Sequence, residues 1–263
     1  MSLIDEALRA GHASVPRSNA RLHRVLVAGG GGPLGSALLE QLLAARAFAS
    51  VNVLVTQPTR TALRGLQTLL WNGSDALPAG DDAVGVIVFD RERHANGREV
   101  SFYRPEPGQL AALATQWHAR GVRHLLVVMP HTMASLPDAL KRGLANLDEH
   151  AVAALGFEHL VFIRSAQAPA HERAAHPAQR LAHWMLSQLQ LMVPQRDRPV
   201  RAQKVAQLAA QIAAQLPHSP PGTRVVPPEM VWQAAQTDDV ASLARAWLNG
   251  PVPASMPAAP GPL

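Results

Sequence analysis

Three glycines spaced three residues apart form the pattern in this sequence that most directly indicates chemistry. Gly29, Gly32 and Gly35 follow the mostly apolar run 23–28 and precede a stretch of leucines at helical spacing. Glycine permits a turn with positive φ, and it leaves room for a diphosphate that a Cβ atom would block. The free N–H groups at the start of the following helix attract the same anion. The pattern predicts a dinucleotide-binding turn, with a tight strand-to-helix turn that binds nothing as the open alternative.

We expect the dinucleotide to contact this turn and the ends of the neighbouring strands. The predicted cofactor-binding residues are Gly29, Gly31, Gly32, Pro33, Leu34, Gly35, Thr56, Arg60, Phe89, Asp90 and Met129. NAD-binding folds usually place an acidic residue after the second strand, where it holds the ribose 2′-hydroxyl. Here residues 56–60 contain no acid. Because the Thr56 hydroxyl and the Arg60 cation suit a 2′-phosphate, the sequence favours NADP over NAD.

The elements that must position these residues alternate along the chain. Apolar runs predict strands at 23–28, 51–55, 84–89, 124–129 and 160–163, and helical spacing predicts helices after residue 33 and at 61–71, 108–120 and 137–155. Strands that are apolar throughout indicate a parallel sheet covered on both faces. Right-handed crossovers then predict a Rossmann-type, doubly wound α/β fold with helices on both faces.

The last third of the chain predicts a small, mostly helical part that lies on the substrate side. Helical patterns occupy 178–192 and 199–216, a short strand is expected at 223–226, and Thr237 is the expected cap of a last helix, whose start Asp238 and Asp239 also suit. The predicted organisation is an N-terminal extension (1–21), a dinucleotide-binding domain (22–250, with its helical part at about 165–250) and a disordered tail rich in proline and alanine (251–263).

The composition excludes several classes of function. The chain has no cysteine, which rules out disulfides, thiolate metal sites and a cysteine nucleophile. Its histidine pairs lack the i, i+4 spacing of a helical zinc site, and we expect no metal. The net charge is +5, but the arginines are scattered and make nucleic acid an improbable partner. No secretory signal or apolar run of membrane-spanning length is found, and we expect a cytoplasmic protein without membrane contact.

Several short segments, in order, resemble a known family. The segment 28–35 (AGGGGPLG) is similar to the TGxxGxxG motif of extended and atypical short-chain dehydrogenases/reductases. The segments SFYR (101–104), GVRH (121–124) and LGFE (155–158) resemble Tat-interacting-protein-30-like oxidoreductases, which are NAD(P)H-binding and similar to sugar-nucleotide epimerases. The resemblance covers roughly residues 22–235. It implies a Rossmann fold, bound NAD(P) and oxidoreductase chemistry.

The catalytic positions of that family depart from its pattern. By spacing, its catalytic tyrosine falls at Lys141 and its lysine at Ala145, while the only tyrosine of the chain is Tyr103. Hydride transfer to a carbonyl needs a proton donor beside the developing alkoxide, and alanine cannot assist one. The remaining candidate acids are Lys141 and His131, which follows the strand 124–129.

Three hypotheses on function therefore stay open. The chain is a dinucleotide-binding but catalytically degenerate sensor, scaffold or assembly factor with a possible protein partner; or it is an active NADPH-dependent reductase or epimerase-like enzyme with a non-standard acid; or it is an interaction protein that binds no nucleotide. The retained glycine turn beside a lost tyrosine–lysine pair favours the first.

Overall fold

The computed structural model describes residues 23–59, 63–73, 77, 80–90, 99–129, 150–164 and 201–250. Within these ranges seven parallel strands form one sheet in the order β3-β2-β1-β4-β5-β6-β7. The strands are β1 (Arg24–Ala28), β2 (Ser50–Val55), β3 (Leu66–Leu70), β4 (Asp82–Val88), β5 (His124–Met129), β6 (His159–Arg164) and β7 (Gly222–Val226). This strand order is that of a doubly wound sheet, and the predicted Rossmann-type fold class is confirmed.

Helices cover both faces of the sheet. They are α1 (Gly32–Ala45), α2 (Leu110–Arg120), α3 (Ala202–Gln215), α4 (Pro228–Gln236) and α5 (Val240–Leu248). Helix α3 packs against α1, α4 and α5 on one face, while α2 places Leu110, Leu113 and Trp117 in the core of the other face. Short 3-10 turns lie at Glu99–Ser101, Pro107–Gln109 and Leu216–His218.

The central strands are apolar throughout because both of their faces are buried. In β1, Val25 and Val27 belong to the core beneath α1 and α3, whereas Leu26 and Ala28 belong to the core beneath α2. All four side chains are fully buried. This burial explains why the sequence shows continuous apolar runs instead of an alternating pattern.

The helix predicted at 61–71 is wrong, because this part of the chain contains strand β3. Residues 66–70 pair in parallel with β2, from Val51 with Leu66 to Val55 with Leu70. Leu63 and Leu70, expected on the inward stripe of a helix, are 61% and 56% exposed. Pairing with an available sheet edge outweighs a leucine spacing that also fits a helix. Gly65, with φ of 88°, precedes the strand in a turn.

The predicted cap of the last helix is also wrong. Thr237 ends α4, where its backbone N–H donates to the carbonyl of Gln233. The cap of α5 is Asp239, whose carboxylate accepts a hydrogen bond of 3.0 Å from the Ser242 N–H. Helix α4 was not predicted from the sequence, since it is short and lies between a predicted strand and a predicted helix.

The other predicted elements of the C-terminal part have mixed outcomes. The helix predicted at 199–216 and the strand predicted at 223–226 correspond to α3 and β7. Of the helix predicted at 137–155, residues 150–153 are helical, and Gly156 follows with φ of 82°. The expected extension 1–21, the helix 178–192 and the tail 251–263 lie outside the described residues.

Candidate functional site

The glycine turn lies where the sheet reverses its winding. Strand β1 ends at Ala28 between β2 and β4, and the carboxyl ends of such strands form the crevice in which doubly wound folds bind ligands. Gly29 has φ of 90° and Gly32 has φ of 78°, a region that residues with a Cβ atom rarely adopt. Helix α1 begins at Gly32, so its first N–H groups point into the crevice.

Much of the glycine pattern is explained by packing of the chain on itself. A Cβ atom on Gly29 would overlap the carbonyl oxygen of Val88, and one on Gly35 would overlap that of Gly29. A Cβ atom on Gly30 would lie 2.8–3.0 Å from side-chain carbons of β2, α1 and Phe102. The spacing therefore reports the close approach of β1, β4 and α1 with or without a ligand, and it does not by itself separate the two readings of the turn.

The start of α1 already holds a carboxylate of the same chain. Asp90, two residues after β4, places its Oδ2 2.6 Å from the Leu34 nitrogen and 3.1 Å from the Gly35 nitrogen, and both N–H groups donate to it. A Cβ atom on Gly32 would lie 2.6 Å from the same oxygen. We call this position, formed by the N–H groups of Leu34 and Gly35 next to Gly32, the anion seat.

The anion seat fits an oxyanion, and Asp90 is the oxyanion that occupies it. A carboxylate oxygen and a phosphate oxygen make the same demands on backbone N–H groups at a helix start. Pro33 has no N–H to offer, so the first turn has one donor fewer for a diphosphate. A dinucleotide and the Asp90 carboxylate therefore exclude each other at the Leu34 and Gly35 amides.

A second segment lies across the ends of β1 and β2. Phe102 forms an antiparallel bridge with Val55, and the Tyr103 N–H donates to the Leu54 carbonyl at 2.9 Å. The Tyr103 carbonyl accepts from the Gly29 N–H at 3.1 Å. On this side the glycine turn is thus held by residues 102–103 through backbone hydrogen bonds.

Thr56, expected to favour a 2′-phosphate, faces the same segment. Its N–H donates to the Ser101 carbonyl at 2.8 Å, and its hydroxyl lies 3.4 Å from the carbonyl oxygens of Val100 and Ser101. Thr56 is nevertheless exposed. Its expected partner Arg60 lies outside the described residues, so the preference for NADP stays a prediction.

The single tyrosine of the chain is buried and packed against other side chains. Tyr103 is buried, its ring packs 4.6 Å from that of Trp71, and its hydroxyl donates to the Gln109 side chain at 3.0 Å. Burial, followed by the charge of Glu106, raises the pKa of Tyr103 above its ordinary value. A buried phenol with a raised pKa is a poor proton donor to a substrate, so Tyr103 serves as a packing residue.

The other predicted contacts divide between the crevice and the undescribed part of the chain. Phe89 and Met129 lie at the carboxyl ends of β4 and β5, and the Phe89 N–H donates to the Val128 carbonyl. The candidate acids His131 and Lys141 lie outside the described residues. The direct contact between Asp90 and α1 was not predictable from the sequence, where its only signal is an acidic residue at a strand end at which such folds bind phosphate.

Comparison with solved structures finds several chains to which this one is similar. It is similar to a nucleoside-diphosphate-sugar epimerase from Staphylococcus aureus, with 13% identity over 87% of this chain and 89% of the other and a TM-score of 0.46. It is also similar to UDP-glucose 4-epimerase from Brucella ovis in complex with NAD, with 15% identity over 78% and 76% of the two chains and a TM-score of 0.45.

A third similar structure is a short-chain dehydrogenase/reductase superfamily protein from Agrobacterium tumefaciens with bound NAD. It shares 15% identity over 77% of this chain and 76% of the other, with a TM-score of 0.43. No protein-family model matches the sequence, and no curated protein matches it. At such low identity the fold assignment rests on the strand order of this chain itself, and the likeness to Tat-interacting-protein-30-like proteins stays a prediction.

The described helices also bear on membrane association. In the ranges that the structure covers, none of the helices combines the length and the apolar character that crossing a bilayer requires.

Proposed function

We propose that this chain is a nicotinamide-dinucleotide-binding protein that has lost dehydrogenase chemistry and acts as a cofactor-dependent sensor, scaffold or assembly factor. The observation that carries the proposal is the anion seat, in which the Leu34 and Gly35 amides already hold a carboxylate oxygen at 2.6 and 3.1 Å. It lies at the switch point of a doubly wound sheet, where this fold class binds dinucleotides.

Binding in this proposal is an exchange of one anion for another. A phosphate oxygen of the dinucleotide takes the position of the Asp90 carboxylate, which turns out of the seat. The apparent affinity is then lowered by the free energy that holds Asp90 in place, because only the open state accepts the ligand. The adenosine end extends over β2 towards Thr56, and the nicotinamide end extends towards Phe89 and Met129.

The loss of chemistry is inferred from what this chain offers to a substrate. A bound nicotinamide supplies or accepts a hydride, and a protein donor must supply the matching proton. Tyr103 is buried against Trp71 and bonded to Gln109, and Ala145 takes the position where the family has its lysine. We therefore expect a protein that responds to the dinucleotide without turning over a carbonyl substrate.

A calorimetric titration of the full chain with NADPH, NADH and reduced nicotinamide mononucleotide tests the proposal. We expect the two dinucleotides to bind more tightly than the mononucleotide, since only they carry the diphosphate that the seat recognises. NADPH should bind more tightly than NADH if Thr56 and Arg60 accept the 2′-phosphate. Equal binding of all three ligands, or no binding at millimolar concentration, would falsify the proposal.

A second candidate function is an interaction protein whose nucleotide site is permanently closed. The same contact favours it, because a carboxylate that satisfies two helix amides competes with every external anion at this position. The two candidates differ in one variant. Replacing Asp90 with alanine opens the seat, so dinucleotide binding that appears in this variant but is undetectable in the wild-type chain supports the closed protein.

A further inference from the structure

A pair of histidines lies at the amino ends of the strands, at the opposite end from the anion seat. His124 is the first residue of β5 and His159 is the first residue of β6, and the two are direct partners in the parallel register. Both side chains lie on the face that α3 covers, because Leu126 and Val161, two residues further along each strand, belong to that core. The two residues are 2% and 3% exposed.

The two imidazole rings face each other through their Nδ1 atoms. These nitrogens are 2.8 Å apart, and the Nε2 of His159 lies 3.0 Å from the carbonyl oxygen of Ser219. A carbonyl only accepts, so the His159 Nε2–H donates to it and the His159 Nδ1 carries a lone pair. The proton between the two Nδ1 atoms therefore belongs to His124.

A carboxylate completes the group at its solvent side. Glu158 precedes β6 and places Oε2 3.9 Å from the His124 Nδ1, while its Oε1 lies 3.2 Å from Arg123 Nη1. The side chain of Glu158 is 47% exposed, so an ion in water reaches the group from this side. One ligand atom from each of the three residues lies within 4.8 Å of the others.

We propose that His124, His159 and Glu158 form a binding site for a divalent transition metal ion, with zinc as the ion that best suits two imidazoles and one carboxylate. Ligand atoms of a tetrahedral zinc ion stand about 3.3 Å apart, given bond lengths of about 2.0–2.1 Å. The two Nδ1 atoms, 2.8 Å apart, need to separate by about 0.5 Å, and the Glu158 Oε2 needs to approach the His124 Nδ1 by about 0.6 Å from its distance of 3.9 Å. Water takes the fourth position.

The hydrogen bond between the rings is the interaction that the metal replaces. In the ion-free protein His124 carries its proton on Nδ1 and donates it to His159. When the metal is bound, His124 carries the same proton on Nε2, and both Nδ1 lone pairs point at the ion. The Ser219 carbonyl holds His159 in the tautomer that binds metal, as the outer partners of metal-bound histidines commonly do.

Titration of the full, chelator-treated chain with zinc, and with cobalt as a spectroscopic probe, tests this proposal. We expect one tight equivalent, with cobalt showing the intense visible absorption of a four-coordinate site. Since an outer-shell partner alone is worth about 10–100-fold in affinity, Glu158→Gln is expected to weaken binding by more than about tenfold. Arg123→Gln frees the carboxylate and is expected to tighten binding by about 1.5- to 5-fold, the factor that an exposed ion pair represents.

His150→Gln is the matched control, because His150 is an exposed histidine whose loss leaves the three ligands in place. Glu158 and Arg123 are both half-exposed, so neither variant depends on repacking the core. Zinc that binds equally well to the wild type and Glu158→Gln, or cobalt spectra typical of a six-coordinate ion, would overturn the proposal. Either result would indicate that exposed histidines elsewhere bind the ion. A weaker equivalent in His150→Gln than in Glu158→Gln would overturn it as well.

Discussion

Replacing Asp90 with alanine is expected to make the protein less stable and to make it bind dinucleotides more tightly. The substitution removes the carboxylate that accepts hydrogen bonds from the Leu34 and Gly35 amides. It leaves the main-chain hydrogen bond of Phe89 with Val128, which continues the pairing of β4 with β5, in place. Both effects thus include the loss of the same interaction with the start of α1, whose magnitude links them.

The size of the effect follows from what such an interaction is worth. A side-chain cap at a helix start contributes about 0.5–2 kcal/mol, and a negative charge at the positive end of the helix dipole adds about 0.3–1 kcal/mol. We take about 2 kcal/mol as the total for Asp90, which corresponds to about a 30-fold change in an equilibrium constant. The dissociation constant for NADPH is expected to fall by about this factor. Without ligand, the melting temperature is expected to fall by about 4–8 °C.

Calorimetry and thermal denaturation of the same preparations measure the two quantities. Asp90→Asn retains an acceptor oxygen without the charge and is expected to lie between the wild type and Asp90→Ala. Asp81→Ala is the control, because Asp81 is an exposed acid that pairs with Arg24 at the opposite edge of the sheet. A lower melting temperature with an unchanged dissociation constant would refute the reasoning, since Asp90 would then stabilise α1 without competing with the ligand.

Three further predictions concern stability. Arg120→Met is expected to lower the free energy of unfolding by about 3–5 kcal/mol in urea denaturation, because it leaves Asp82, 1% exposed and 2.7 Å from the Arg120 guanidinium, as a buried unpaired charge. Gly35→Ala is expected to lower the free energy of unfolding by about 1–3 kcal/mol and with it the melting temperature, because the new Cβ atom would overlap the Gly29 carbonyl oxygen. Gly108→Ala is the control, and since its Cβ atom would meet nothing within 4 Å, the melting temperature is expected to stay unchanged or to rise. Arg224→Met is expected to raise the free energy of unfolding by about 1 kcal/mol, because the buried Arg224 Nε and Nη2 have no hydrogen-bond partner among the described residues, and this gain exceeds the loss of the 2.9 Å hydrogen bond from Nη1 to the Pro220 carbonyl. A decrease for Arg224→Met, or equal melting temperatures of the two glycine variants, would contradict these expectations.

The local sequence pattern predicted secondary structure correctly where residue type alone determines the element. The run 24–28 is apolar at every position after Arg24, and the strand lies where the pattern predicts it, since both faces of β1 are buried. Gly121 ends α2 in the left-handed conformation, with φ of 104°, as a glycine after the last helical residue predicts. In these cases the residue type itself carries the signal: apolar side chains at every position suit a strand buried on both faces, and glycine suits a left-handed helix end.

The errors arise where a segment takes its structure from a distant partner. The leucines at 63–70 fit a helical stripe, but β2 offers an open edge and the segment pairs with it as β3. Thr237 is a good capping residue by type, yet α4 reaches it first and uses its N–H. Neither the open edge nor the end of α4 is visible in the local sequence.

The amino-acid sequence was sufficient to establish the doubly wound fold, the glycine turn and the absence of the tyrosine–lysine pair, because each depends on residue type and short-range spacing. That a carboxylate of the same chain occupies the glycine turn was decided by the tertiary structure. Asp90 is 56 residues from Leu34 in the chain, and only the pairing of β1 with β4 brings its carboxylate to the start of α1. His124 and His159 are 35 residues apart, and only the register of β5 with β6 brings their rings together. Contacts between side chains far apart in sequence follow from strand order and register, which are properties of the whole sheet.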